Sequence, residues 1–155
     1  MKILTVAVFV LLACTSCNSN QSAEKPAPPT NLLEGTWQLV SGTTIQGKDT
    51  TATDYTKGKK FLKLINGTHF SFVGHDLNNG KDSANAFYTS GAGTYSLTDT
   101  SYTEHLEFCN DRAWEGHDFT FTTVVTSDSL TITGIEKVES ANVNRLNIER
   151  YVRVK

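Results

Sequence analysis

The chain has 155 residues and a formal net charge of −2, a length that suits one domain and a balance that excludes the clustered Lys and Arg of a nucleic-acid surface. Apolar residues make up 38%, below the usual fraction for a compact domain. Thr and Ser are abundant instead, which fits strands with one wet face better than helices packed all round.

Lys2 supplies a positive charge, and the apolar run Ile3–Ala13 has the length of a signal-peptide core. It is too short to span a bilayer, which needs roughly 20 residues. Leu11-Leu12-Ala13-Cys14 resembles the lipobox of bacterial lipoproteins. In that family the peptidase needs a small residue before Cys, here Ala13, and the Cys sulfur takes a diacylglycerol and becomes the new N-terminus. The resemblance implies a lipoprotein signal peptide over 1–13 and lipidation at Cys14, with acyl chains of the palmitate kind. Cys17 is a second candidate, without an aliphatic residue three places upstream. An ordinary secretory signal cut near Ala13 or Ser16 is the alternative. More than one acyl chain, at about 0.8 kcal/mol per buried CH₂, would hold the protein at a membrane.

Residues 14–30 carry all three prolines and almost nothing apolar, the composition of a disordered tether, reaching on the order of 50 Å when stretched. Residues 31–155 contain no proline, which suits a sheet whose N–H groups are paired. Strands are expected at Gly35–Val40 and Lys60–Ile65, then, after the turn signal Asn66-Gly67, at Thr68–Val73. Ala86–Leu97 reads as a strand kinked at Gly91-Ala92-Gly93. In the next strand Tyr102, Glu104, Leu106 and Phe108 alternate with Thr103, His105 and Glu107. Phe119, Phe121, Thr123 and Val125 mark another face. Ser127-Asp128-Ser129 turns the chain into Leu130, Ile132 and Gly134. Leu146, Ile148, Arg150, Val152 and Val154 close the domain. Gly42–Gly58 and Glu136–Asn144 read as loops, the places for a helical turn. These make about eight strands joined mostly by short turns, an all-β domain of up-and-down barrel type.

Gly35-Thr36-Trp37 resembles the G-x-W signature of lipocalins. With Thr68–Val73, Gly91–Tyr95, Tyr102–Phe108 and Glu149–Val154, the chain resembles the lipocalin-like domains of small Bacteroidetes lipoproteins from about Leu33 to Lys155. The resemblance implies an eight-stranded antiparallel up-and-down lipocalin-like barrel. It also implies a barrel floor in which Arg150 or Arg153 lies over the Trp37 ring, and it implies no particular activity.

Three functions follow. The first is a lipid-anchored envelope protein binding a small apolar molecule or lipid. Phe70, Phe72, Phe87, Tyr95, Phe119 and Phe121 would be its walls, with Tyr102, Glu104 and His105 beside them. The second is an envelope structural or protein-interaction lipoprotein with a filled barrel. The third is an enzyme using His105 with Glu104 or Glu107. Against such use, the polar face of a strand ordinarily points to water, which would put Glu104 inside, needing a partner. His69, His75, His105 and His117 show no ligand spacing, so no metal or other cofactor is expected. Cys109 reads as an unpaired, buried small hydrophobe. With no Asp after Cys14 and only Glu24 acidic in the tether, analogy with enterobacterial sorting places the anchor in the outer membrane, facing the periplasm.

Overall fold

The computed structural model describes residues 31–99 and 101–155. The expected signal peptide, Cys14, Cys17 and the tether lie outside them. Among the described residues nine strands appear: β1 (Gly35–Gln46), β2 (Asp49–Asp54), β3 (Lys59–Ile65), β4 (His69–Asp76), β5 (Tyr88–Leu97), β6 (Tyr102–Cys109), β7 (His117–Val125), β8 (Ser129–Val138) and β9 (Val143–Arg153). Their order is β2-β1-β3-β4-β5-β6-β7-β8-β9, every pairing is antiparallel, and β9 returns to β1. The expected eight-stranded antiparallel barrel is therefore present and closed, with one extra strand. The first half of β1 pairs β3 and the second half pairs β2, while β9 holds its other edge. β2 and β3 thus share one edge of β1, separated by the excursion Tyr55–Gly58.

The segment 42–58, expected as a loop, is mostly hairpin. β-Branched Thr43, Thr44 and Ile45 face Thr50, Thr51 and Ala52, and Gly47 takes the positive φ of the turn (63°). Its residues are half-buried or exposed, so no apolar alternation advertised a strand. The loop expected at 136–144 is shorter. β8 runs to Val138, a 3₁₀ turn occupies Glu139–Ala141, and Asn142 ends it at φ 54°.

A bulge changes the reading of β6. Ala92 faces Phe108 but Gly93 faces Leu106, leaving Glu107 as the extra residue. Tyr102, Glu104 and Leu106 point inward, as their alternation suggested. Phe108 then turns outward and is 65% exposed, and Cys109 takes the inner side. The sequence placed Phe108 with the inner set; one inserted residue reverses that, because side chains alternate with period two.

The end of the barrel at the start of β1 is sealed. Trp37 is fully buried and its Nε1 donates to the Leu33 carbonyl at 2.8 Å. The Arg153 guanidinium lies 4.0 Å from the centre of the Trp37 ring, an interaction of about 0.5–2 kcal/mol. Arg153 also donates to the carbonyls of Leu32, Glu34 and Ser127. Arg150 does not take this place. Tyr151 and Arg153 share the inner parity of β9, so Arg150 faces outward and is exposed.

A Cβ on Gly93 would sit 1.9 Å from the His105 carbonyl oxygen, whereas one on Gly67 would meet nothing within 4 Å. Gly93→Ala should cost about 1–3 kcal/mol as overpacking against backbone, and Gly67→Ala should be near neutral. Urea denaturation of the two variants reads the difference.

Candidate functional site

The interior divides into a packed half and a cup. Trp37, Leu39, Ile65, Phe70, Leu130 and Ile132 fill the sealed end with Tyr102, all nearly inaccessible. Beyond them a cavity of about 420 Å³ opens at the other end, within the ordinary range for small-molecule sites. Its apolar wall is aromatic: Tyr55, Phe61, Phe72, Phe87, Trp114 and Phe119.

Local structure aims these rings. The Tyr55 N–H bonds the Val40 carbonyl, and its ring meets Phe61 and Phe87 at 6.0 and 6.1 Å. Asp76 accepts from the N–H groups of Asn78, Gly80 and Phe87, which knots the β4–β5 loop and delivers Phe87 to the rim. Those three donors, led by Gly80, hold the Asp76 carboxyl below its ordinary range. Gly91 makes room for the Phe72 ring, since a Cβ there would lie 2.4 Å from it. Asp111 caps the 3₁₀ turn Arg112–Trp114, and the Trp114 ring lies tilted against Phe119 and under the Arg145 guanidinium.

Charge lines the cup among these rings. Lys63 on β3 and Glu104 on β6 form an ion pair across the barrel, with side chains 5% and 7% exposed. The Lys63 ammonium also lies over the Phe70 and Tyr102 rings, at 5.4 and 5.9 Å. Burial pushes its pKa down, but the Glu104 carboxylate and the more distant Glu149 and Glu136 outweigh this, so it is raised and Lys63 is held as a cation. Glu136 accepts from Arg145 at 2.7 Å and from Asn147 at 2.8 Å. Burial pushes the Glu136 carboxyl upward against the pull of Arg145. Glu149 accepts from the Tyr151 hydroxyl at 2.6 Å, and burial with Glu149 beside it raises that phenol well above its usual range. Glu104 Oε1 is the oxygen that the Lys63 ammonium abuts, and the Tyr102 hydroxyl lies beside the same carboxylate.

Of the side chains singled out in the sequence, Phe72, Phe87, Glu104, Phe119 and Phe121 line the cup. Phe70, Tyr95 and Tyr102 do not; they pack toward the sealed end, with Tyr95 and Tyr102 rings 5.3 Å apart. His105 points out of the barrel, half-exposed, its Nδ1 2.6 Å from Asp118 Oδ1. Glu104 and His105 therefore sit on opposite faces of β6, and Glu107 is exposed too, so the pairing of His105 with either is not assembled in the cup. Among the described residues no group of three or more His, Cys, Asp or Glu side chains gathers as a metal site would require. Cys109 is a free, half-buried thiol at the rim, raised in pKa by burial.

Sequence reasoning missed Lys63, Glu136, Arg145, Glu149 and Tyr151. A signal existed for Lys63: in Phe61-Leu62-Lys63-Leu64-Ile65 it shares the face of two large apolar residues. No family model matches the chain, and no curated protein does.

Removing one member of the cross-barrel pair leaves a buried charge alone. Lys63→Met and Glu104→Leu should each lose about 3–5 kcal/mol, and the double variant should recover most of it. A double-mutant cycle by urea denaturation checks this. Because Lys63 is raised, its contribution is complete below the ordinary lysine pKa of 10.5 and fades as pH climbs through the higher folded value. The double variant should lack that alkaline loss.

Proposed function

We propose that this chain is a lipid-anchored envelope protein of lipocalin-like type whose barrel holds a small molecule in the cup. The observation that carries the reading is the cavity of about 420 Å³, walled by aromatic rings and floored by charged side chains. Apolar walls with a few placed polar groups are what a small-molecule site requires. The charged floor favours a ligand with a polar group on an apolar body over a bare hydrocarbon chain, which would strip water from Glu104 and Glu149 and return nothing. The Leu11–Cys14 run supports the anchor, and the envelope placement, outer membrane toward the periplasm, rests on that run with the lack of Asp after Cys14 and the single acidic residue, Glu24, that follows.

Native mass spectrometry of the full chain, isolated from its own host's membranes, should show a reproducible extra mass that solvent releases. Cys109→Phe, which puts a ring into the rim of the cup, should lose it. A clean unliganded mass in both proteins would overturn the carrier reading. For the anchor, metabolic labelling with an alkyne palmitate analogue should mark the chain. Cys14→Ser should abolish the label and Cys17→Ser should keep it; an unlabelled native chain would overturn the lipoprotein reading.

A further inference from the structure

The ions around the cup do not cancel. Three carboxylates reach it from the strands, Glu104, Glu136 and Glu149, against two cations, Lys63 and Arg145. Each cation already has a carboxylate: Lys63 holds Glu104, and Arg145 holds Glu136. Glu149 is the one left over. Among the described residues it makes no ion pair, and its single hydrogen bond comes from the neutral Tyr151 hydroxyl. Asp111 also reaches the cup, while the Lys59 ammonium, outside its lining, lies over Phe87 and Tyr55 at 5.1 and 5.9 Å.

A second, independent observation concerns the rings. Every cation near this interior rests on an aromatic face: Lys63 on Phe70 and Tyr102, Arg145 on Trp114, Lys59 on Phe87. Among the described residues Phe61, Phe72 and Phe119 line the cup and carry no cation, Phe61 and Phe72 being stacked on each other at 5.7 Å and Phe119 on His117 at 6.2 Å.

We propose that the ligand of the cup is an organic cation: a protonated amine on an apolar or aromatic body, with its ammonium at Glu149 and its body against Phe61, Phe72 and Phe119. This rests on the carrier reading and specifies the chemistry of its ligand. The ammonium completes the charge balance and donates to the free oxygen of Glu149. A carboxylate ligand would meet three carboxylates, and the two basic groups beside them, Lys63 and Arg145, are already engaged. A neutral ligand of the same size would cover Glu149 and leave it desolvated without a partner.

The test uses the purified full chain and four indoles of one body: tryptamine, N-acetyltryptamine, 3-ethylindole and indole-3-propionate, titrated by calorimetry. Tryptamine should bind at least about tenfold more tightly than the others, the worth of one charge-assisted hydrogen bond. Glu149→Gln keeps the shape and the Tyr151 contact, and should erase that preference by weakening tryptamine while easing the desolvation cost that 3-ethylindole meets. If the variant fails to fold, the comparison among the four indoles on the native chain decides by itself. Equal binding of tryptamine and N-acetyltryptamine, or tighter binding of the propionate, would sink the cation proposal and leave the carrier reading standing. No heat with any of the four, together with a clean unliganded native mass, would remove both.

Discussion

Lys63 and Glu104 meet across the middle of the barrel from β3 and β6, strands that are separated by two others in the sheet. Two ions nearly stripped of water are tolerable only if each answers the other. The walls on either side are therefore held at the span of a lysine and a glutamate. Below the pair the interior is solid with Trp37, Phe70, Tyr102, Leu130 and Ile132. Above it there is room for a guest. The pair is the boundary between the two, and the volume of the cup follows from where it sits.

The same pair explains why the cup is not greasy. An interior that already carries ions at its floor gains little from hydrocarbon above them and more from further polar groups that answer one another. Glu136 with Arg145 and Asn147, and Glu149 with Tyr151, continue that pattern up the wall. The aromatic rings stand between these groups, and several offer a face to a cation rather than only an edge to a neighbour. Apolar residues that a conventional β core would collect are placed outside instead: Leu64, Val73, Phe108 and Val152 are all exposed.

This distribution marks what could be read from the sequence. The eight strands of the closed barrel, the meander, the hairpin at Asn66-Gly67 and the Trp37 floor were legible because turn chemistry and apolar alternation agree there, whereas the extra strand β2, without apolar alternation, was not. The inner face of β9 was not. Alternation drew attention to Leu146, Ile148 and Val152, while the barrel turns Arg145, Asn147, Glu149 and Tyr151 inward. A rule that sends apolar side chains inside fails where the inside is built to be polar, and that is where the candidate site lies. Phe108 and Cys109 escaped for another reason. A bulge has no side-chain signature, and the Gly93 that permits it looked like a general kink rather than a one-residue shift in register. Arg153 was distinguishable from Arg150 only once Tyr151 was known to point inward.

Arg153 clasps the carbonyls of Leu32 and Glu34 at the sealed end, so the polypeptide preceding residue 31 joins the barrel at its base, with the cup opening at the far end. The first described residues and the mouth of the cup therefore lie at opposite ends of the barrel. Any pull on the chain at Asn31 would load the Trp37–Arg153 clasp before it reached the mouth, leaving the shape of the cup insulated from tension.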